Sequence, residues 1–449
     1  MNSQERRAVA LLASIYALRI AGLFLILPVF ALFAGELAGH TPLLIGLALG
    51  AYGLTQALLQ IPFGWLSDHY GRKPVIAGGL LLFALGSVIA ATASHIGIMI
   101  LGRAVQGAGA IAAAIMATVA DLTREEQRAK AMAAVGMTIG GTFVLSLVVG
   151  PLLHGLIGVP GIFWLTGALA IVAIGALYRF LPTPVRVAAG RRDLRRDFGR
   201  ILRNRQLLAL DAGIFVLHLV MTAMFVVLPL IIVRELGLAG ADHWAIYLPV
   251  MLVGFLAMVP FLVLANRRHR HRAVMAGAIA VLALAQLLLV FGQQSLYGLV
   301  IGLTLFFAAF SLLEAQLPSL VSRLAPAANK GAAIGVYSSA QFLGAFAGGT
   351  LGGLLHGVAG FDAVFWMAAG MLVLWLVLVL TLPEPQLLAS HQINVGNQSP
   401  GQAARLAERL SRVPGVAEAV VVAEEGMAYL KIDARVLDKK HLEQFGSSV

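Results

Sequence analysis

Leu152-Leu153-His154-Gly155, followed by Gly158 and Phe163-Trp164, returns as Leu354-Leu355-His356-Gly357 with Gly360 and Phe365-Trp366, displaced throughout by 202 residues. One offset held across the whole pattern marks an internal duplication. A second set, Phe24, Leu27 and Pro28 against Phe225, Leu228 and Pro229, keeps nearly the same displacement of 201. All four copies lie in long apolar stretches, so the duplicated unit is a group of membrane segments.

Composition agrees. Of 449 residues, 59% are hydrophobic and 12% charged, against about 25% charged in an ordinary soluble domain. Mean hydropathy is +0.89, and apolar character runs from Ala8 to Leu382. With no cysteine in the chain, disulfide frameworks, thiolate metal sites and cysteine nucleophiles are excluded. The net charge of +11 does not point to nucleic acid, because all the excess lies before Pro385, where 25 basic residues face 14 acidic ones. Basic loops beside hydrophobic spans follow from topology.

Crossing ~30 Å of hydrocarbon takes roughly 20 apolar residues at 1.5 Å each. Twelve such stretches are predicted, at 8–34, 42–66, 74–93, 96–120, 131–157, 160–178, 207–233, 244–265, 273–291, 296–321, 331–359 and 363–382. The first is too long for a signal peptide and is expected to be retained. Alternate loops divide Lys and Arg 22 to one, Arg234 standing alone on the poorer side. The richer side is assigned to the cytoplasm, with both termini. The expected fold is an all-α membrane protein of two pseudo-repeated six-helix bundles, 1–181 and 207–384, joined by a basic linker at 182–206. Parallel repeats of this kind place a solute path near the midplane between the halves.

Between the second and third spans stands Gly64-Trp-Leu-Ser-Asp68-His-Tyr-Gly71-Arg72-Lys73. Gly64 permits close helix approach, Asp68 ends a helix with a carboxylate, Gly71 suits a tight turn, and Arg72 and Lys73 bring cations beside the acid. The stretch resembles motif A of the major facilitator superfamily. The resemblance implies a latch that holds the halves together in the outward-facing state, joined by an acid at the end of the fourth span, where Asp121 stands. Arg103-Ala-Val-Gln106-Gly107 resembles motif B of the drug/proton antiporter branch, whose arginine is implicated in proton coupling. Gly150-Pro151 resembles the core of the antiporter motif C, although Ser146 and Leu147 stand where small residues are usual. The corresponding loop of the second half, Asn266 to Arg272, is basic without the acid and reads as a charge anchor; His269 and His271 are not expected to bind metal.

Charges inside the spans carry the chemistry. Arg19 and His218 lie ~16 Å from a span edge, and Arg103 and Glu314 ~10 Å. A buried arginine costs at least ~2.5 kcal/mol unless it meets water or a partner. Arg19 and Arg103 are therefore expected to line the cavity or to pair inside the bundle, with Asp211 and Glu314 the acids available. A poorly solvated carboxylate titrates closer to neutrality, and one that meets an arginine in a single conformational state can exchange protons during cycling. A fixed ion pair that only orients helices is the alternative. His218 can titrate or bond a neighbouring helix as neutral imidazole. Tyr16, Phe24, Tyr52, Phe225, Tyr337 and Phe342 are candidates to face an apolar solute or to pack. Glycines cluster in the fifth span (Gly136, Gly140, Gly141) and the eleventh (Gly335, Gly344, Gly348, Gly349, Gly352, Gly353), which suits helices that meet closely and rock.

From about residue 390 to 449 the pattern becomes βαββα: strands at 391–395, 416–423 and 427–433, helices at 402–411 and 437–445. This resembles a small α+β ferredoxin-like module of the heavy-metal-associated type. The loop Gly396-Asn-Gln-Ser-Pro400 lacks cysteines for a soft metal, and the sheet is expected to be incomplete or completed by another strand. A twelve-helix facilitator ending in such a domain resembles the YajR-type transporters. The resemblance implies an inner-membrane secondary transporter, with small-molecule solute, protons and lipid bilayer as partners and with efflux against proton entry. The terminal domain is expected to regulate or to self-associate. The alternative is a membrane sensor signalling through that domain. No cofactor, metal centre or enzymatic constellation is expected.

Overall fold

The computed structural model describes residues 1–182, 199, 201–267, 270–325, 330–381, 389–396, 398–423, 426–432, 437 and 444–445. The basic stretch within 183–198, His269 and most of the expected helix at 437–445 lie outside them.

The first half comprises α1 (Ser3–Phe24), α2 (Phe30–Ala34), α3 (Pro42–Tyr70), α4 (Arg72–Ala91), α5 (Ile96–Ala108), α6 (Ala112–Asp121) and α7 (Glu125–Phe180). The second comprises α8 (Arg205–Leu236), α9 (Trp244–Arg267), α10 (His271–Gly292), α11 (Leu296–Leu324) and α12 (Lys330–Thr381). Ten spans are long and apolar enough to cross a bilayer, α5 and α6 together forming one. The two longest each turn at a glycine of positive φ, Gly158 (66°) in α7 and Gly360 (81°) in α12. L side chains avoid this region, so glycine is the residue that lets each long run fold back on itself. With those breaks the chain crosses twelve times, and the breaks are repeat equivalents. It is an integral multi-pass membrane protein.

The other repeated set does not behave alike in the two halves. Around Pro28 the first span breaks between α1 and α2, while Pro229 sits inside the continuous α8. At the break Gly150 of α7 approaches so closely that a Cβ there would lie 2.1 Å from the Leu25 carbonyl oxygen. Glycine thus lets α7 rest on the open turn. His154 and His356 are also equivalents; the latter stacks on Phe361 with ring centroids 4.6 Å apart.

The halves meet at the end of the bundle that carries Pro42. A Cβ on Gly46 would lie 2.0 Å from the Gly349 oxygen, one on Gly53 2.6 Å from that of Phe342, and one on Gly353 2.3 Å from that of Pro42. The backbones of α3 and α12 therefore touch along several turns. At helical spacing round α12, Gly344, Gly348 and Gly352 pack instead on Phe215, Leu219 and Ala223 of α8. At the opposite end a Cβ on Gly136, Gly140, Gly141, Gly331 or Gly335 would meet nothing within 4 Å. The hydrophobic core shows the same asymmetry. One cluster runs from Leu25–Leu49 of the first half through the whole second half, while the core at the other end of the first half takes in only Phe342 from the second. The bundle is closed at the Pro42 end.

The terminal segment holds β1 (Ala389–Asn394), α13 (Pro400–Ser411), β2 (Val416–Val422) and β3 (Met427–Ile432). The antiparallel sheet has order β1-β3-β2. Ser399 and Gln402 form a capping box that starts α13. The described part follows the expected βαββ order.

Gly46→Val is expected to drive α3 and α12 apart at the seam. Spin labels on Leu43→Cys and Leu354→Cys should then report a longer separation than in the protein with Gly46. An unchanged distance distribution would mean that the seam tolerates a side chain.

Candidate functional site

Polar residues in the middle of the spans form two groups, one in each half. In the first, Arg19 of α1 donates from its guanidinium to Gln56 of α3 and to the Gly107 carbonyl at 3.4 Å. Gln56 donates to Gln60 at 3.0 Å. Arg103 of α5 donates to Gln106 Oε1 at 2.7 Å, and Gln106 Nε2 to Ser87 Oγ of α4 at 2.7 Å. Both guanidiniums lie over the Tyr52 ring, 5.6 Å (Arg19) and 4.9 Å (Arg103) from its centroid. Gly107 makes this possible: a Cβ there would lie 2.1 Å from the Tyr52 oxygen, so α5 sits directly on the α3 backbone.

The second group joins three helices. Gln341 of α12 donates to His218 Nε2 of α8 at 2.8 Å and to Glu314 Oε1 of α11 at 3.2 Å. His218 Nδ1 lies 3.3 Å from the Ile214 carbonyl. An imidazole that donates from Nδ1 and accepts at Nε2 is neutral. Its Nε2 is 3.9 Å from Glu314 Oε2, too far for a hydrogen bond. The Glu314 side chain is 39% exposed as a whole, while its Oε2 is buried and without a hydrogen-bond partner. Asp211 is buried, with Oδ2 unpartnered, and Tyr337 lies within electrostatic reach of both acids. Between the groups runs an aromatic bridge: Phe24 to Phe143 (centroids 4.7 Å), Phe143 to Phe310 across the halves (5.7 Å), and Phe310 to His218 (5.9 Å).

At the open end Gly71, with φ of 100°, turns the chain from α3 into α4. Arg72 then pairs with Asp68, with Asp121 at 2.9 Å and with Ser67 Oγ at 2.7 Å, tying α3, α4 and α6 together. Lys73 does not join these acids but donates to the Leu181 carbonyl, where α7 ends. A Cβ on Gly64 would be 3.4 Å from that of Ala113, an ordinary contact, so the expected close approach at Gly64 is not used in this conformation. The whole network lies inside the first half.

The family model described as Major Facilitator Superfamily matches residues 12–267 and 213–420, and the YajR YAM domain model matches 398–447. The chain belongs to the major facilitator superfamily. It is 41% identical over 447 residues to the Inner membrane transport protein YajR of Escherichia coli, covering 99% of this chain and 98% of the relative. Over 38% of this facilitator and 43% of the relative it is 32% identical to Multidrug resistance protein 2 of Bacillus subtilis. Its fold is that of a bacterial homolog of the human lysosomal transporter Spinster in an inward-facing, occupied conformation, with TM-score 0.71, 14% identity, and coverage of 85% and 97% of the two chains. It is a transporter by family.

Among the described residues, and in this conformation, neither Arg19 nor Arg103 pairs with Asp211 or Glu314. Arg19 and Arg103 bind glutamines of their own half, while in the other Glu314 groups with Gln341 and His218 and Asp211 acts on Tyr337. Gly150 serves the contact of α7 with the turn between α1 and α2, and Pro151 lies inside α7. Sequence reading passed over Gln56, Gln60 and Gln341, whose signal was amide side chains inside apolar spans. It also passed over Glu5, which caps α1 with Asn2 and accepts from Arg124 Nε at 3.0 Å.

Arg72→Gln removes both ion pairs and is expected to lower stability by about 1–2 kcal/mol, since partly exposed pairs contribute up to ~1 kcal/mol each. Arg72→Lys should restore less than half of the loss, because one ammonium cannot span Asp68 and Asp121 as the guanidinium fork does. Thermal denaturation in detergent checks both.

Proposed function

We propose that this transporter exports a small amphipathic compound in exchange for protons, alternating between the state closed at the α3–α12 seam and one closed at the opposite end. The basic loops assign that opposite end to the cytoplasm, which makes the described conformation inward-facing and puts both termini inside. The full-length likeness to an inner membrane transport protein supports an inner-membrane location. The family match favours transport over a membrane sensor.

The observation that supports proton coupling is Glu314: a carboxylate at mid-span held at one oxygen by Gln341 beside His218, its other oxygen buried and without a partner. Tyr337 lies within electrostatic reach of both Glu314 and Asp211, so a proton taken up at one acid is felt by the whole group. Protonation removes the charge that keeps this layer hydrated, so the halves can close over it. In the closed form the Asp68–Arg72–Asp121 network becomes the latch between the halves, and Gly64 the point of close approach. The likeness over part of the chain to a multidrug resistance protein agrees with export. The terminal domain regulates the cycle or pairs two chains; deleting 389–449 is expected to change transport, abundance or oligomeric state.

Reconstituted in liposomes and given a pH jump, the full chain should accumulate solutes from an amphipathic panel. Glu314→Gln should abolish gradient-driven accumulation while leaving solute counterflow intact. Asp211→Asn should slow the driven reaction without abolishing it. Unaltered pH-driven flux in Glu314→Gln would remove Glu314 as the proton carrier.

A further inference from the structure

Among the described residues of the first half, two arginines buried inside the spans have no carboxylate partner. Arg72 has Asp68 and Asp121, and Arg124 has Glu5. Arg19 and Arg103, the most buried of its arginines at 1% and 0% exposure, have only the neutral oxygens of Gln56, Gln106 and Gly107. Every ion pair among the described residues lies elsewhere. Arg19 Nε and Arg103 Nε and Nη2 are buried donors with no acceptor. Two charges in a low-dielectric layer without a counter-ion are strongly unfavourable, and removing one partner from a buried pair costs several kcal/mol. The amides nonetheless fix both guanidiniums firmly: Gln56 is tied to Gln60, and Gln106 to Ser87, which donates to the Phe83 carbonyl at 2.8 Å. This arrangement orients the forks and leaves their charge available.

We propose that Arg19 and Arg103 form an oxyanion site within the transport path, which takes the carboxylate of an amphipathic solute and lays its apolar body beside Tyr52. The proposal rests on the transport reading above and names its substrate class: organic anions. Three unused N–H donors from two planar forks suit a carboxylate, which accepts charge-assisted bonds at both oxygens. The Tyr52 ring already lies within cation–π distance of both guanidiniums, so the solute completes the shell rather than building it. Bound anion would neutralise part of the charge that the first half carries into the membrane. That makes closure over the loaded site easier than closure over the empty one.

The test uses the full chain in nanodiscs and three probes of one shape at constant ionic strength: radiolabelled benzoate, benzyl alcohol and benzylammonium. Saturable binding of benzoate, at one per chain, with neither of the others bound, is the expected result. Arg19→Gln and Arg103→Gln should each weaken benzoate by at least about tenfold, while Arg234→Gln, at an exposed arginine outside the site, leaves it unchanged. Melting curves in the same discs show whether each variant is folded. Where Arg103→Gln is not, Arg103→Lys keeps the charge and must still bind more weakly, because its fork is lost. Absent saturable benzoate binding, equal binding of benzyl alcohol, or equal affinity in the wild type and the folded arginine variants would each overturn the site. Benzoate binding without pH-driven flux of any solute would defeat the transport reading and leave the site standing. Driven flux of neutral solutes without benzoate binding would do the reverse.

Discussion

Backbone contact between α3 and α12 sets the geometry of everything else in this transporter. Lipid offers no hydrophobic force to press one apolar helix on another, so tight association needs surfaces from which side chains have been removed. Gly46 and Gly53 on α3, with Gly349 and Gly353 on α12, supply such a surface on only one side of the midplane. The seam closes that end, and the same rigid helices then diverge toward the other, where the glycines of α7 and α12 face open space. The polar groups sit between the closed and open ends, where a modest tilt changes their access to water most. A seam made of large side chains would have interlocked and resisted the rocking that alternating access requires.

Duplication explains the frame but not the function of the halves. Gly158 and Gly360 still perform the same task, folding two long apolar runs back at equivalent points. The Phe-x-x-Leu-Pro segments no longer do. Pro28 ends a helix at the junction with α7, and its turn is stabilised by Gly150, whereas Pro229 is absorbed in α8, the most buried of the spans. A proline kink is decided by whether neighbours satisfy the freed carbonyls and fill the bend. The same Phe-x-x-Leu-Pro pattern therefore gives a break in one half and a continuous column in the other. The asymmetry extends to chemistry, with guanidiniums in the first half and carboxylates in the second.

Helix number, the point of duplication and the basic surface were legible from sequence because each depends on composition over many residues. The turn at Gly71 and the Arg72 pairing with Asp68 were legible because they are local. The partners of Arg19 and Arg103 were not. Sequence shows that a buried cation needs company, but glutamine advertises itself less than aspartate, and which faces of α1, α3 and α5 converge is a tertiary matter. Lys73 went astray for a related reason: adjacency to Asp68 suggested an ion pair, but a long flexible ammonium found the bare carbonyl at the end of α7. The part of the chain between 183 and 198 and the expected helix at 437–445 lie largely beyond the described residues, so their sequence readings stand as expectations.

The proposed division, with an anion site in one half and a protonatable acid in the other, has an energetic consequence. A cytoplasm that is electrically negative drives protons inward and anions outward. Exchange of one for the other moves two charges down the field, each worth about 2.3 kcal/mol per 100 mV. Neither ligand then has to bind tightly for the proposed exchange to run in one direction, and in that scheme a Glu314 held by one amide serves better than one locked in a buried ion pair. The same logic accounts for the absence of a direct bond between the arginines and the acids. A carboxylate seated permanently on Arg19 or Arg103 would compete with the solute and lose its proton chemistry at once. Separation of the two groups by the Phe24–Phe143–Phe310 bridge keeps each charge available to its own ligand, while the shared rocking motion couples them.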